Sequence, residues 1–318
     1  MEFKKLDNYS IDEKDIVCVK EMGNVFEITY LQHKNNGQTI KKLNNDEYMV
    51  MATGEVKQAQ HIESRADNKL QVSQSLKRLR DYINTNVTDT NKCKWVTLTY
   101  KENMTNTKKL YNDFKNFIKR FKAKYGHIEY IVACEPQGRG AWHMHCIIIF
   151  EDIAPFIPNS EIAKLWKQGF TKTTKLDNID NIGAYLTAYL GDMEYEDFKK
   201  CGVDYKCITF KEVDYIENIK LDKPKKFVKG GRLYMYPPNF NLYRISRGIK
   251  KPIKQYMSYK RAKEKVGCAK PTYTSSLCLS DLDTNFSNII IYESYNIKRN
   301  NCQYLNGTKM ERLKYLSL

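Results

Sequence analysis

Nowhere in the 318 residues do about 18 apolar residues follow one another, so no membrane-spanning helix is expected. The opening Met1-Glu-Phe-Lys-Lys-Leu-Asp lacks the apolar stretch of a signal peptide, and a cytoplasmic location is expected. No G-x-x-x-x-G-K-[ST] phosphate loop occurs, and no G-x-G-x-x-G sits between a strand and a helix. Gln137-Gly-Arg-Gly140 reads as a turn, so no ATP-driven motor is encoded. The nine cysteines are odd in number and include no C-x-x-C pair. Buried reduced thiols therefore fit better than a zinc ribbon or a disulfide framework. Acidic residues are outnumbered, 37 Asp+Glu against 53 Lys+Arg, for a net charge of +16. That excess favours a polyanionic partner, nucleic acid before an acidic membrane surface.

Histidine is scarce, five in all, yet His143 and His145 stand one residue apart at the start of an apolar run, Cys146 to Phe150. Alternation along a strand points both imidazoles to one face. The run Ile128 to Glu135 is also strand-like, and Pro136-Gln-Gly-Arg-Gly140 supplies the turn between the two. Symmetric pairing about that turn puts Glu135 opposite His143; an even register slip keeps it on the histidine face, an odd slip moves it off. A carboxylate and two imidazoles on one face form a three-ligand divalent-metal site with open positions for substrate. Two histidines in a strand are more often structural, but polar rings at the mouth of a buried strand need partners, and Glu135 provides one.

Along the chain, residues 1–60 read as short strands and turns, and Glu63 to Ile83 as a helix with Leu70, Val72, Leu76, Leu79 and Ile83 on one face. Trp95 to Tyr100 alternates as a strand. Thr107 to Tyr125 is an amphipathic helix with Asn106 suited to its N-cap. After the histidine hairpin, Ser160 is expected to cap a helix at Glu161–Gln168, and Asp177 to Leu190 reads as another helix. Tyr185 and Tyr189 stand one turn apart on it. This order implies an α+β fold, with a central antiparallel sheet carrying the His-x-His strand and flanked by helices. Four segments are expected: 1–92, packed on a nuclease core at 93–221; a basic aromatic region at 222–267; and a weakly specified tail at 268–318. Between Asp222 and Lys265, fourteen Lys+Arg face two acids, with six aromatics interleaved. That mixture suits a single-stranded nucleic-acid surface better than a plain solvated face. Lys225, Lys226, Lys229, Arg232, Arg244, Arg247, Lys250 and Lys251, with Arg139 of the turn, are the candidate contacts.

Tyrosine is a weak nucleophile, titrating near 10, but a divalent metal that polarises and orients a phosphodiester makes it competent. Attack would leave a 5′-phosphotyrosine and a free 3′-hydroxyl, a linkage that can be resealed. At this point the sequence resembles the rolling-circle replication initiators of the HUH endonuclease superfamily, plasmid and phage type. Val96-Thr-Leu-Thr-Tyr100 is similar to their first motif, Trp142-His-Met-His-Cys-Ile-Ile-Ile-Phe150 to the second, and Gly183-Ala-Tyr-Leu-Thr-Ala-Tyr-Leu190 to the third. Lys229-Gly-Gly-Arg-Leu-Tyr-Met-Tyr-Pro-Pro238 resembles a block further downstream. The resemblance implies an origin-nicking and strand-joining enzyme using Mg²⁺ or Mn²⁺ on Glu135, His143 and His145, with Tyr185 or Tyr189 or both as nucleophile. Single-stranded or hairpin origin DNA would be the substrate, and a host helicase and polymerase the partners. The family commonly has a lysine three residues after a tyrosine; Ala188 and Asp192 stand there. A mobilisation relaxase with the same chemistry and a non-catalytic DNA-binding repressor are the alternatives.

Overall fold

The computed structural model describes residues 2–7, 9–34, 39–59, 65–174, 176, 183, 191–200, 210–216, 219–281 and 286–298. The chain divides into two compact units, Met1–Lys34 with Pro252–Leu318, and Asn35–Lys251. The first is a six-stranded antiparallel sheet drawn from both ends of the chain. Its strands are β1 (Glu2–Lys5), β2 (Ile16–Met22), β3 (Val25–Leu31), β15 (Ile253–Ser258), β16 (Pro271–Asp281) and β17 (Phe286–Asn296), in the order β1-β16-β17-β3-β2-β15. Val17, Val19, Ile28, Met257, Ile291 and Tyr295 form its core with Ala262 and Val266 of a helix at Tyr259–Val266. Residues 268–318, expected to be a weakly specified tail, thus supply two inner strands. Segments 1–92 and 222–267 each contribute to both units.

The second unit opens with a small sheet of β4 (Ile40–Lys42), β5 (Glu47–Val50) and β6 (Val56–Gln58). Its centre is a five-stranded antiparallel sheet made from β7 (Cys93–Thr99), β8 (Ile128–Pro136), β9 (Trp142–Phe150), β10 (Thr171–Thr174) and β14 (Tyr243–Ile245), in the order β10-β7-β9-β8-β14. The fold is α+β, and the histidine strand β9 is the middle strand. Helix α2 (Thr107–Tyr125) packs Leu110, Phe114, Phe117, Ile118 and Phe121 with Met144, Cys146, Ile148 and Phe150 of β9. The fully buried members of this set contribute roughly 1.5–3 kcal/mol each. Asn106 caps α2 as expected, its side chain accepting from the Lys109 N–H at 3.0 Å. Helix α1 (Lys69–Asn86) packs Leu79 and Ile83 with Ile147 of β9, Ile131 and Ala133 of β8, and Trp95 of β7. Ile147 and Ile148 alternate between these two groups, so β9 has an apolar layer on each side, which is why it reads as an unbroken apolar run. A third sheet holds β11 (Met193–Glu194), β12 (Phe210–Ile216) and β13 (Ile219–Val228), with a short helix α4 at Tyr195–Lys200.

Some local expectations are corrected. Helix α1 begins at Lys69, preceded by a single 3₁₀ turn at Arg65–Asn68, and Leu70 is exposed on it. Helix α3 (Asn159–Trp166) starts earlier than expected, and Ser160 lies inside it. The Asn159 side chain instead bonds Thr171, joining the start of α3 to β10. Cys18, Cys93, Cys134, Cys146 and Cys278 are free, whereas Cys268 is disulfide-bonded. The expected helix Asp177–Leu190, Tyr185 and Tyr189 included, lies outside the described residues except for Gly183. No described helix is long and apolar enough to cross a membrane.

Candidate metal centre

In the β8–β9 hairpin Glu135 lies directly opposite His143 and Ala133 opposite His145. This is the register expected from symmetric pairing about the turn. On the other side of β9, β7 sets Thr99 opposite His143 and Thr97 opposite His145. Opposed residues share a sheet face, so the three ligand-type side chains converge. His143 Nε2 and His145 Nε2 are 3.0 Å apart, and they lie 3.4 and 3.3 Å from Glu135 Oε2. Glu135 and His143 are buried and His145 is partly exposed, so the group opens at one edge.

The residues fit a divalent cation. Three atoms with lone pairs surround one point, and a proton on one ring nitrogen can serve only one of the contacts among them. Around a metal that holds imidazole nitrogen and carboxylate oxygen at about 2.0–2.2 Å, donors at right angles stand roughly 3 Å apart. The observed spacings match that geometry. His145 Nδ1 lies 3.3 Å from Thr97 Oγ1, which orients the ring. His143 Nδ1 is buried with no hydrogen-bond partner among the described residues.

Glu135 has a second contact that composition did not reveal. Arg232 Nε lies 2.8 Å from Oε1, leaving Oε2 to the histidines. The same guanidinium donates to the carbonyls of Asp192 at 2.6 Å and Pro136 at 2.7 Å, and the Arg232 N–H donates to Gly191 O at 2.9 Å. Burial raises the pKa of the Glu135 carboxyl, but His143, His145 and Arg232 outweigh it and hold the group far below the usual carboxylate range. Burial, with His145 and Arg232 nearby, lowers the pKa of His143 against the pull of Glu135 and so favours the neutral imidazole that ligates metal.

The block around Arg232 is therefore built into the site. Tyr236 is buried and donates to Cys134 O at 2.9 Å, bracing β8 one residue before Glu135. Burial drives its phenol well above the ordinary tyrosine value, so it is not an available nucleophile. Phe240 stacks on Trp142, ring centroids 4.5 Å apart, and Trp142 Nε1 donates to Thr105 O. Two of the six interleaved aromatics are thus core, which composition cannot distinguish from surface. The other candidate contacts are dispersed. Lys226, Lys229, Arg247, Lys250 and Lys251 are exposed, Arg244 lies 3.4 Å over the Tyr111 ring, and Lys225 lies in β13. Arg139 is exposed on the hairpin turn and donates to Gln137 Oε1 and Tyr100 O. His127 is exposed beside Glu129 and His33 is exposed in the other unit. His61 lies outside the described residues. Sequence reasoning missed the roles of Arg232, Tyr236 and Thr97. The Lys229–Pro238 resemblance was the one signal that could have pointed to the first two.

Residues 93–194, 102 of the 318, match the family model of the replication-associated protein ORF2, or gene 2 protein. That stretch contains all three ligand residues and all three motifs that resemble rolling-circle initiators, and the match fits such an initiator. No curated protein and no solved structure matches the chain.

Proposed function

We propose that this chain, a third of which matches a replication-associated family, initiates rolling-circle replication by nicking one DNA strand at an origin and rejoining strands at termination. The observation that carries the reading is the convergence of Glu135, His143 and His145 on one point inside the matched stretch. These three would hold Mg²⁺ or Mn²⁺. Such an ion supplies Lewis-acid polarisation and orientation of the scissile phosphate. Arg232 fixes the Glu135 carboxylate through one oxygen and keeps the other directed at the histidines. Thr97 holds the His145 ring. The hydroxyl of Tyr185 or Tyr189 attacks phosphorus, the bond to the 3′ oxygen breaks, and the phenolic proton leaves to solvent. A 5′-phosphotyrosine and a 3′-hydroxyl result.

The residues that bracket the two tyrosines support this role. The Gly183 N–H donates to Asn84 Oδ1 of α1, the helix packed on the same sheet face as the ligands. Gly191 and Asp192 are bonded to Arg232, which in turn contacts Glu135. Tyr189 is two residues from Gly191, a reach of at most about 7 Å. Asp192, where the resemblance expects a lysine, meets a guanidinium instead.

The test is a single-stranded origin oligonucleotide incubated with protein and Mn²⁺, with covalent adducts resolved on a denaturing gel. Wild type should form the adduct; Glu135→Ala, His143→Ala and the Tyr185→Phe/Tyr189→Phe double variant should not. Single phenylalanine variants assign the nucleophile. Full adduct from the double variant would sink the mechanism. DNA binding retained by His143→Ala, with no adduct from any form, would instead identify a repressor.

A further inference from the structure

The metal-bearing face continues beyond the ligands to an edge that the reaction above leaves unused. Strand β10 pairs with β7 with Thr171 opposite Leu98, and the next pair outward joins the Thr99 N–H to Phe170 O at 2.9 Å. Thr99 is opposite His143, and His143 is opposite Glu135. Phe170, Thr99, His143 and Glu135 therefore form one row across four strands, on one face. Two strand spacings put Phe170 about 10 Å from His143. Thr171, next in the chain, points the other way and is buried, whereas Phe170 is 68% exposed.

This exposure is built by the local backbone. Gly169 has φ +155, and a Cβ there would meet Lys101 N at 2.4 Å and Thr99 O at 2.7 Å. Only glycine lets the chain press this closely against β7 as it leaves α3, and the next residue stands on the ligand face. The same corner carries cations. Lys101, whose N–H donates to Gln168 O, and Lys167 are both exposed. An aromatic ring beside cations, in line with a metal centre on a chain of charge +16, has the composition of a single-strand platform.

We infer that Phe170 stacks on a base of single-stranded DNA and so positions the strand across the metal centre, with Lys101 and Lys167 beside its phosphates. This rests on the nicking reading for its purpose, but it can fail or stand by itself.

The experiment measures binding of the full chain to fluorescein-labelled oligothymidylate, and to the same strand with abasic sites, by anisotropy without divalent metal. Phe170→Ala should weaken binding to oligothymidylate about 5- to 100-fold, the range of one lost base–aromatic stack. Phe170→Trp should restore it. On the abasic strand wild type and Phe170→Ala should bind alike, and Mn²⁺ affinity should be the same for all three. Wild-type affinity in Phe170→Ala, an equal loss on the abasic strand, or weakened Mn²⁺ binding would each overturn the stacking role. If stacking is seen but wild type never forms an adduct, nicking fails and this inference stands. If the adduct forms while Phe170→Ala binds normally, the reverse holds.

Discussion

Glu135 is a buried carboxylate whose two oxygens face different partners, Arg232 on one side and two imidazoles on the other. Removing one partner of a buried ion pair leaves an uncompensated charge, at a cost of about 3–5 kcal/mol. Arg232→Ala should therefore lower thermal stability and also weaken Mn²⁺ binding about 10- to 100-fold, since it frees the carboxylate to rotate. Calorimetric Mn²⁺ titration and a melting curve read the two effects; unchanged Mn²⁺ affinity would show that Arg232 does not position the ligand. A second prediction concerns pH. His143 is held neutral to lower pH than a solvated imidazole, and metal binding requires the neutral form. Protons compete with metal as pH falls, so Mn²⁺ affinity should persist down to about pH 6.5 and decline below it. Affinity that rises on acidification would contradict this assignment of the ligands. Glu135 and the two histidines were legible as ligands because period-two alternation and a short turn determine which residues share a face. Arg232 was not, because it lies 97 positions from Glu135 and no local pattern records that contact.

Secondary-structure elements with one strong period were legible, and those whose burial depends on a distant partner were less so. Helix α2 has both its stripe and its cap where the sequence puts them, and Asn106→Ala should cost about 1 kcal/mol in chemical denaturation. In α1, Leu70 matches the apolar spacing yet is 80% exposed, because it stands at the first turn, beyond the strands that cover Leu79 and Ile83. Helix α1 also receives Gly183. A Cβ at that position would meet Arg80 O at 2.5 Å and Asn84 Oδ1 at 2.6 Å, so nothing larger fits without movement. Gly183→Ala should reduce adduct formation while leaving Mn²⁺ affinity unchanged, because it displaces the tyrosine-bearing segment and not the ligands. Equal loss of both would mean that the substitution disturbs the sheet itself.

At the scale of the whole chain, the charge of +16 implies that DNA affinity depends on counterion release. Binding to single-stranded DNA should fall steeply between about 50 and 200 mM salt, with a log–log slope of about −0.7 per phosphate neutralised. A flat dependence in an anisotropy titration would exclude an electrostatic interface. Division into two units was invisible to composition. The basic stretch 222–267 runs across the boundary at Lys251 and Pro252, and charge density does not change there. Strand β17 pairs with β3 some 260 residues earlier, as Tyr292 with Thr29, and such pairing leaves no local trace. The run Asn288–Tyr292 was visible as apolar; its place inside a six-stranded sheet was not.

The sequence by itself determined the α+β class, the central histidine strand, helix α2 and the three ligand-type residues on one face. Each follows from periodicity over a few residues, which backbone geometry converts directly into direction. Only the tertiary structure decided that Arg232 and Tyr236 belong to the metal centre and not to a surface, that the last strands pair with the first, and that Phe170 shares a row with Glu135 and His143. Those facts depend on contacts between segments far apart in the chain, where burial and not residue type sets the role.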